Sequence, residues 1–115
     1  MELQWSKRPD GRWWKFADVT PAQLISHGVF VVWRNGSGVA VSSVLYVGRG
    51  SLRDEFARCH RDPIFRTESL YVTWATVDEI RMLDSVAAYL YQRLRPMWGD
   101  AVFAPAMAVN LPLTA

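Results

Sequence analysis

The chain has 115 residues, of which 50% are apolar and 21% charged. That balance points to one packed domain with little left over for a second independent core, and it excludes a disordered chain. Thirteen basic residues against eleven acidic ones leave a formal charge of +2, which admits nucleic acid as a partner without requiring it.

Cys59 is the sole cysteine, so neither an internal disulfide nor a cysteine-built zinc centre is available. The polar start and the lack of a long apolar run predict a cytoplasmic protein with no membrane partner. All but two of the cations are arginines, the side chain suited to gripping a phosphate through two parallel N–H donors.

In chain order, Pro9-Asp10-Gly11 is a turn signal between Trp5 and the block Trp13, Trp14 and Phe16. This start predicts a small hairpin or flap whose aromatics complete the core; the alternative is an exposed stacking surface. Thr20-Pro21 supplies an N-cap and a first helical position, predicting a short helix with Leu24 and Ile25 inward that ends near His27-Gly28. Gly28 to Trp33, reading GVFVVW, predicts a central strand. The turn residues Arg34 to Gly38 separate it from VAVSSVLYV, the second strand of an antiparallel hairpin, which Gly48-Arg49-Gly50 ends.

Ser51 and Asp54 form a capping box for a helix through about His60, with Leu52, Phe56 and Cys59 buried and Arg53, Ala57 and His60 on an adjacent face. Asp62-Pro63 stops it. Leu70 to Ala75 predicts a third strand. A second capping box at Thr76 and Glu79 opens a long helix with Ile80, Leu83, Val86, Ala87, Leu90 and Leu94 as its apolar stripe, ending before Pro96. The segment after Asp100 carries two prolines and no charge, predicting an extended tail packed on the domain.

The expected architecture is therefore α/β of the α+β kind, a three-stranded antiparallel sheet flanked by helices, with Phe30 and Tyr46 on neighbouring strands. Its expected divisions are an aromatic extension with a short helix over 1–27, the domain proper over 28–99, and an apolar tail over 100–115.

This order resembles the GIY-YIG endonuclease superfamily over about Gly28 to Gly99. Gly28-Val29-Phe30 stands as the first signature tripeptide and Tyr46-Val47-Gly48 as the second, followed by Arg49, Leu52-Arg53, Phe56, Cys59-His60 and the terminal Arg95-Pro96. The resemblance implies phosphodiester hydrolysis in DNA by one divalent metal, Mg²⁺ or Mn²⁺. It also implies tyrosines near the nucleophilic water, an arginine on the first helix and a metal-holding glutamate on the second.

The chain departs from that pattern. Phe30 lacks the first hydroxyl, Ala87 stands where the metal-binding glutamate would, Glu55 replaces the expected arginine, and Gly99 replaces the asparagine that often follows the terminal proline. The residues that could compose a rearranged catalytic site are Tyr46, Arg53, His60 and Asp84, with Asp84 as metal ligand. Arg49, Arg53, Arg58 and Arg61 are the candidate nucleic-acid contacts, with Arg66 extending the patch.

From Arg49 to Arg66 the chain carries five arginines against Asp54, Glu55 and Asp62, a modest net attraction that salt would weaken. The leading expectation is a DNA-directed, nucleic-acid-binding domain without ordinary nuclease activity and without a cofactor. The alternatives are a metal-dependent endonuclease with a rearranged site, and a non-catalytic module that meets a protein partner or a second copy through the aromatic start or the apolar tail.

Overall fold

A strand that is apolar at nearly every position needs cover on both faces. The structure, a computed structural model describing residues 1–34, 44–66, 70–99 and 102–112, gives the GVFVVW run that place. It lies in β2, His27–Arg34, between β3, Val44–Ser51, and β4, Leu70–Thr76, and is antiparallel to both. Val29, Val31 and Trp33 point into a core shared with the second helix, α2 (Leu83–Leu94). Phe30 and Val32 point into a second core shared with the first, α1 (Leu52–Arg61). Each such fully buried side chain contributes about 1.5–3 kcal/mol of hydrophobic stabilisation, which makes β2 the spine of the molecule.

The sheet has four strands in the order β1-β4-β2-β3, which corrects the expected three. The added strand, β1, is only Trp14–Lys15, pairing with Val72 and Tyr71 of β4. It arises because the aromatic start runs along an otherwise open edge of β4. Upstream, the Ser6 N–H donates to the Trp74 carbonyl at 2.9 Å, and the Thr73 hydroxyl donates to the Ser6 carbonyl at 2.7 Å. The turn at Pro9-Asp10-Gly11 is closed by an Arg8 N–H to Arg12 carbonyl bond of 2.9 Å.

The β2–β3 pair is antiparallel, as the hairpin reading expects, and Phe30 and Tyr46 sit on these neighbouring strands. The turn residues Asn35 to Gly38 and the following Val39 to Ser43 lie outside the described residues. β3 continues past Gly48 to Ser51, each residue still paired with β2. The Thr20-Pro21 signal yields one 3-10 turn, Pro21–Gln23, rather than a helix. Leu24 is buried but Ile25 is 87% exposed, because the chain is drawn straight into the sheet, where the Ser26 carbonyl accepts the Leu52 N–H at 3.1 Å.

α1 starts as its capping signal requires, with the Ser51 hydroxyl accepting the Asp54 N–H at 3.4 Å. α2 starts later than the stripe suggests. Thr76 hydrogen-bonds the Ser26 hydroxyl at 2.9 Å instead of capping, Glu79 pairs with Arg81, and a 3-10 turn, Ile80–Met82, precedes the helix. α2 ends at Arg95, whose φ of +47° closes the helix in the left-handed conformation.

Beyond it, the Met107 N–H donates to the Ser85 carbonyl at 3.0 Å and Val109 is buried against the α2 core. The Asn110 side chain then bonds the Leu3 backbone in both directions, at 2.6 and 2.9 Å. Among the described residues, no helix is long and apolar enough to cross a membrane.

Candidate nucleic-acid interface

Strand alternation divides β3 between two faces. Tyr46 and Gly48 face α1, whereas Val47 and Arg49 face α2. Phe30, opposite Gly48 in the ladder, is fully buried, with its ring centroid 4.8 Å from that of Phe56 and 5.7 Å from that of Tyr46. The Phe30 ring occupies the space that a side chain at position 48 would need, so the glycine is required by packing. Where the resemblance expects a reactive tyrosine hydroxyl, an apolar ring closes the core.

Tyr46 is half-buried, and its hydroxyl accepts a 2.6 Å hydrogen bond from Nη2 of Arg58. Arg58 is held from the other side by Glu55, Nε to Oε2 at 3.2 Å, and its guanidinium lies 5.7 Å from the Tyr46 ring centroid. Burial raises the Tyr46 phenol above its ordinary value against the opposing effect of Arg58, so the hydroxyl stays protonated at neutral pH. The Glu55 hydrogen bond raises Arg58 further, keeping it cationic. Glu55 therefore serves as the counter-ion of the neighbouring arginine.

Arg49, on the other face of β3, donates from Nε to Oδ1 of Asp84 at 2.5 Å. The candidate metal ligand of α2 is thus ion-paired, and among the described residues no three His, Cys, Asp or Glu side chains converge to hold a metal. Ala87, one turn further along α2, is buried in the core against the sheet and brings no oxygen to the surface.

Two depressions meet at Arg49. One, of about 410 Å³, is lined by Tyr46, Arg49, Arg58, Asp62, Phe65 and Trp98 among others. The other, of about 640 Å³, runs between the α1 start and α2, past Glu55, Arg81 and Asp84.

The sequence candidates do not all gather there. Tyr46, Arg49, Arg58 and Asp84 border this region. Arg53 and His60 project from α1 toward the N-terminal segment. Arg53 reaches the Ala22 carbonyl at 3.5 Å, while His60 hydrogen-bonds the Val19 carbonyl at 3.0 Å and stacks on Phe16 at 4.4 Å. Arg61 and Arg66 are exposed. Cys59 is buried beneath α1, and burial pushes its thiol up to about 12, leaving it protonated and unreactive.

Sequence reasoning missed three members of the region. Glu55, as the partner of Arg58, had a signal in its i,i+3 spacing. Phe65 and Trp98 had none, because Phe65 closes a single 3-10 turn and Trp98 sits in irregular chain, each two residues after a proline. Comparison of the chain with protein-family models, with curated proteins and with solved structures found no match.

Proposed function

We propose that the chain is a GIY-YIG-like nucleic-acid-binding domain, directed at DNA, in which ordinary nuclease chemistry has been lost. The observation that carries this reading is the pair Arg49 and Arg58, held by Asp84, Glu55 and Tyr46 at the rim of one cleft beside β3. Guanidinium groups fixed in this way meet phosphate oxygens with little ordering cost. The two acids reduce the net attraction, so binding is weak and salt-sensitive rather than tight.

The loss of chemistry follows from the residue set. Phosphodiester hydrolysis needs an activated water and compensation for charge growing on phosphoryl oxygens. Phe30 has no hydroxyl, Ala87 no ligand atom, and Glu55 is committed to Arg58. A rearranged Mg²⁺ or Mn²⁺ site would have to release Asp84 from Arg49 first.

The test is a titration of duplex DNA at several salt concentrations with the parent, Arg49→Gln/Arg58→Gln and Arg53→Gln. The double variant should bind more weakly and flatten the logarithmic salt slope by about 0.9 per lost contact. Arg53→Gln should change little, and none should cut DNA with Mg²⁺ or Mn²⁺. Identical curves for parent and double variant would remove the cleft from consideration, and cleavage abolished by Asp84→Asn would restore the enzyme reading.

A further inference from the structure

We infer that the cleft between Tyr46, Arg58, Phe65 and Trp98 receives a single unpaired nucleotide of a nucleic-acid strand, its base stacked on Trp98 and its phosphate on Arg58. The inference rests on the nucleic-acid reading above and specifies what that site accepts.

Trp98 is held with unusual care for a loop residue. Its backbone N–H donates to the Leu45 carbonyl at 2.9 Å, and the preceding Met97 backbone N–H reaches the Val44 carbonyl at 3.3 Å. The turn that carries it starts at the left-handed Arg95 and closes at Gly99, whose φ is +99°. The Tyr91 hydroxyl donates to the Gly99 carbonyl at 3.1 Å. A Cβ at Gly99 would also stand 3.1 Å from the Tyr46 ring, so only glycine suits this turn in both conformation and space.

The result is a half-buried indole set edge-on to Phe65, with centroids 6.3 Å apart at 70°, and Trp98 lines the cleft. The Phe65 ring is in turn edge-on to Tyr46 at 5.4 Å. A platform ordered before binding costs little further entropy when a ligand stacks on it.

The cleft combines three chemistries. Arg58 supplies a fixed cation, Trp98 an aromatic wall, and Asp62, which accepts the Ile64 N–H at 3.1 Å, a carboxylate acceptor. A bare phosphate leaves the aromatic wall unused and offers no donor to Asp62. A base within a duplex keeps both faces stacked on its neighbours and cannot present one to an indole. An unpaired adenine, cytosine or guanine nucleotide satisfies all three, with a phosphate for the cation, a π-face for the indole and an exocyclic amino group for the carboxylate. The volume of about 410 Å³ lies within the roughly 300–1,000 Å³ range of small-ligand clefts.

The experiment compares binding of the full chain to a labelled single-stranded oligonucleotide, the same strand with abasic sites, and the corresponding duplex, at fixed low salt. The single strand should bind about tenfold more tightly than the abasic strand, the scale of one base stacked on an aromatic ring, and more tightly than the duplex. Trp98→Ala should remove the advantage over the abasic strand, and Trp98→Phe should keep most of it.

Equal affinity for normal and abasic strands overturns the nucleotide inference while leaving the phosphate-binding reading intact. Loss of binding to all three by the parent overturns both. The abasic comparison uses the unaltered protein, so a folding defect in Trp98→Ala cannot decide the outcome. A mononucleotide that competes as well as the strand would overturn the assignment to a polynucleotide.

Discussion

Helix α1 presents two flanks that resemble each other in sequence and differ in surroundings. One carries Arg53 and His60, the other Glu55 and Arg58. On the first flank the N-terminal segment has moved in, with the Val19 carbonyl on His60 and Phe16 stacked against its ring. On the second, Arg58 is braced by Glu55 and Tyr46 beside an open cleft. The lesson is that a histidine beside an active-site-like motif is a site residue only if nothing else in the chain has covered it; Arg53, on the same flank, stays exposed. Residues 1–27 decide this, and they lie before the motifs begin.

The largest effect should come from removing the cover. Phe16 is 2% exposed and meets Phe56, His60 and Phe65. Phe16→Ala should destabilise the fold by about 3–5 kcal/mol, the usual cost of deleting a buried phenylalanine ring. Urea denaturation measures it, and a cost below about 1 kcal/mol would mean that the covered flank is only loosely closed.

A smaller effect concerns the seam between the flanks. Cys59 is fully buried there, and burial pushes its thiol from an ordinary value of 9.0 up to about 12. Between these values the unfolded chain releases the proton while the folded chain keeps it. The contribution to stability is therefore full below pH 9 and is lost as pH rises toward 12. Tyr46 is shifted in the same direction, so Cys59→Ala is the control that separates the two. From pH 8 to pH 10.5 the parent should lose roughly 1–2 kcal/mol more stability than the variant. Parallel declines would show that the thiol is not sealed.

The smallest effect on stability belongs to the open side. The Arg49–Asp84 pair is exposed, with 40% and 63% of the two side chains accessible. Asp84→Asn should change stability by less than about 1 kcal/mol. Under the phosphate-binding reading it should strengthen DNA binding, because it removes a competing anion. Weaker binding by Asp84→Asn would assign the aspartate a direct role with ligand or metal.

Much of the fold was legible where local rules and burial agree. GVFVVW, the Ser51 cap, the Phe56 and Cys59 spacing and the α2 stripe from Leu83 to Leu94 each name their element, whereas Ile80, expected in that stripe, is 61% exposed in the 3-10 turn before it. The fourth strand was not legible. Trp14–Lys15 has no alternation of its own and becomes a strand only through the edge of β4 that it meets. Thr20 does cap its turn through Gln23, but the turn is cut short as the chain is drawn into β2, whereas the capping signal at Thr76 is overridden by its bond to Ser26.

In the candidate site, spacing along the chain singled out Tyr46, Arg49 and Arg58. It could not show that Asp84 faces Arg49 or that His60 faces Val19, because those partners are 35 and 41 residues away. Trp98 was invisible for the same reason, since its place depends on backbone bonds to Val44 and Leu45 rather than on any local pattern.

The two-way bond between Leu3 and Asn110 joins positions 107 residues apart, so it closes almost the whole chain into a ring. A contact of that separation forms only after the intervening elements have assembled, since the entropy of closing so long a loop is unfavourable until they have. It is then a latch rather than a nucleus, setting how fast the folded molecule comes apart more than how fast it forms. Asn110→Ala should accordingly raise the unfolding rate in a stopped-flow denaturant jump and leave the refolding rate nearly unchanged. Slower refolding would instead place the meeting of the two terminal segments early in folding.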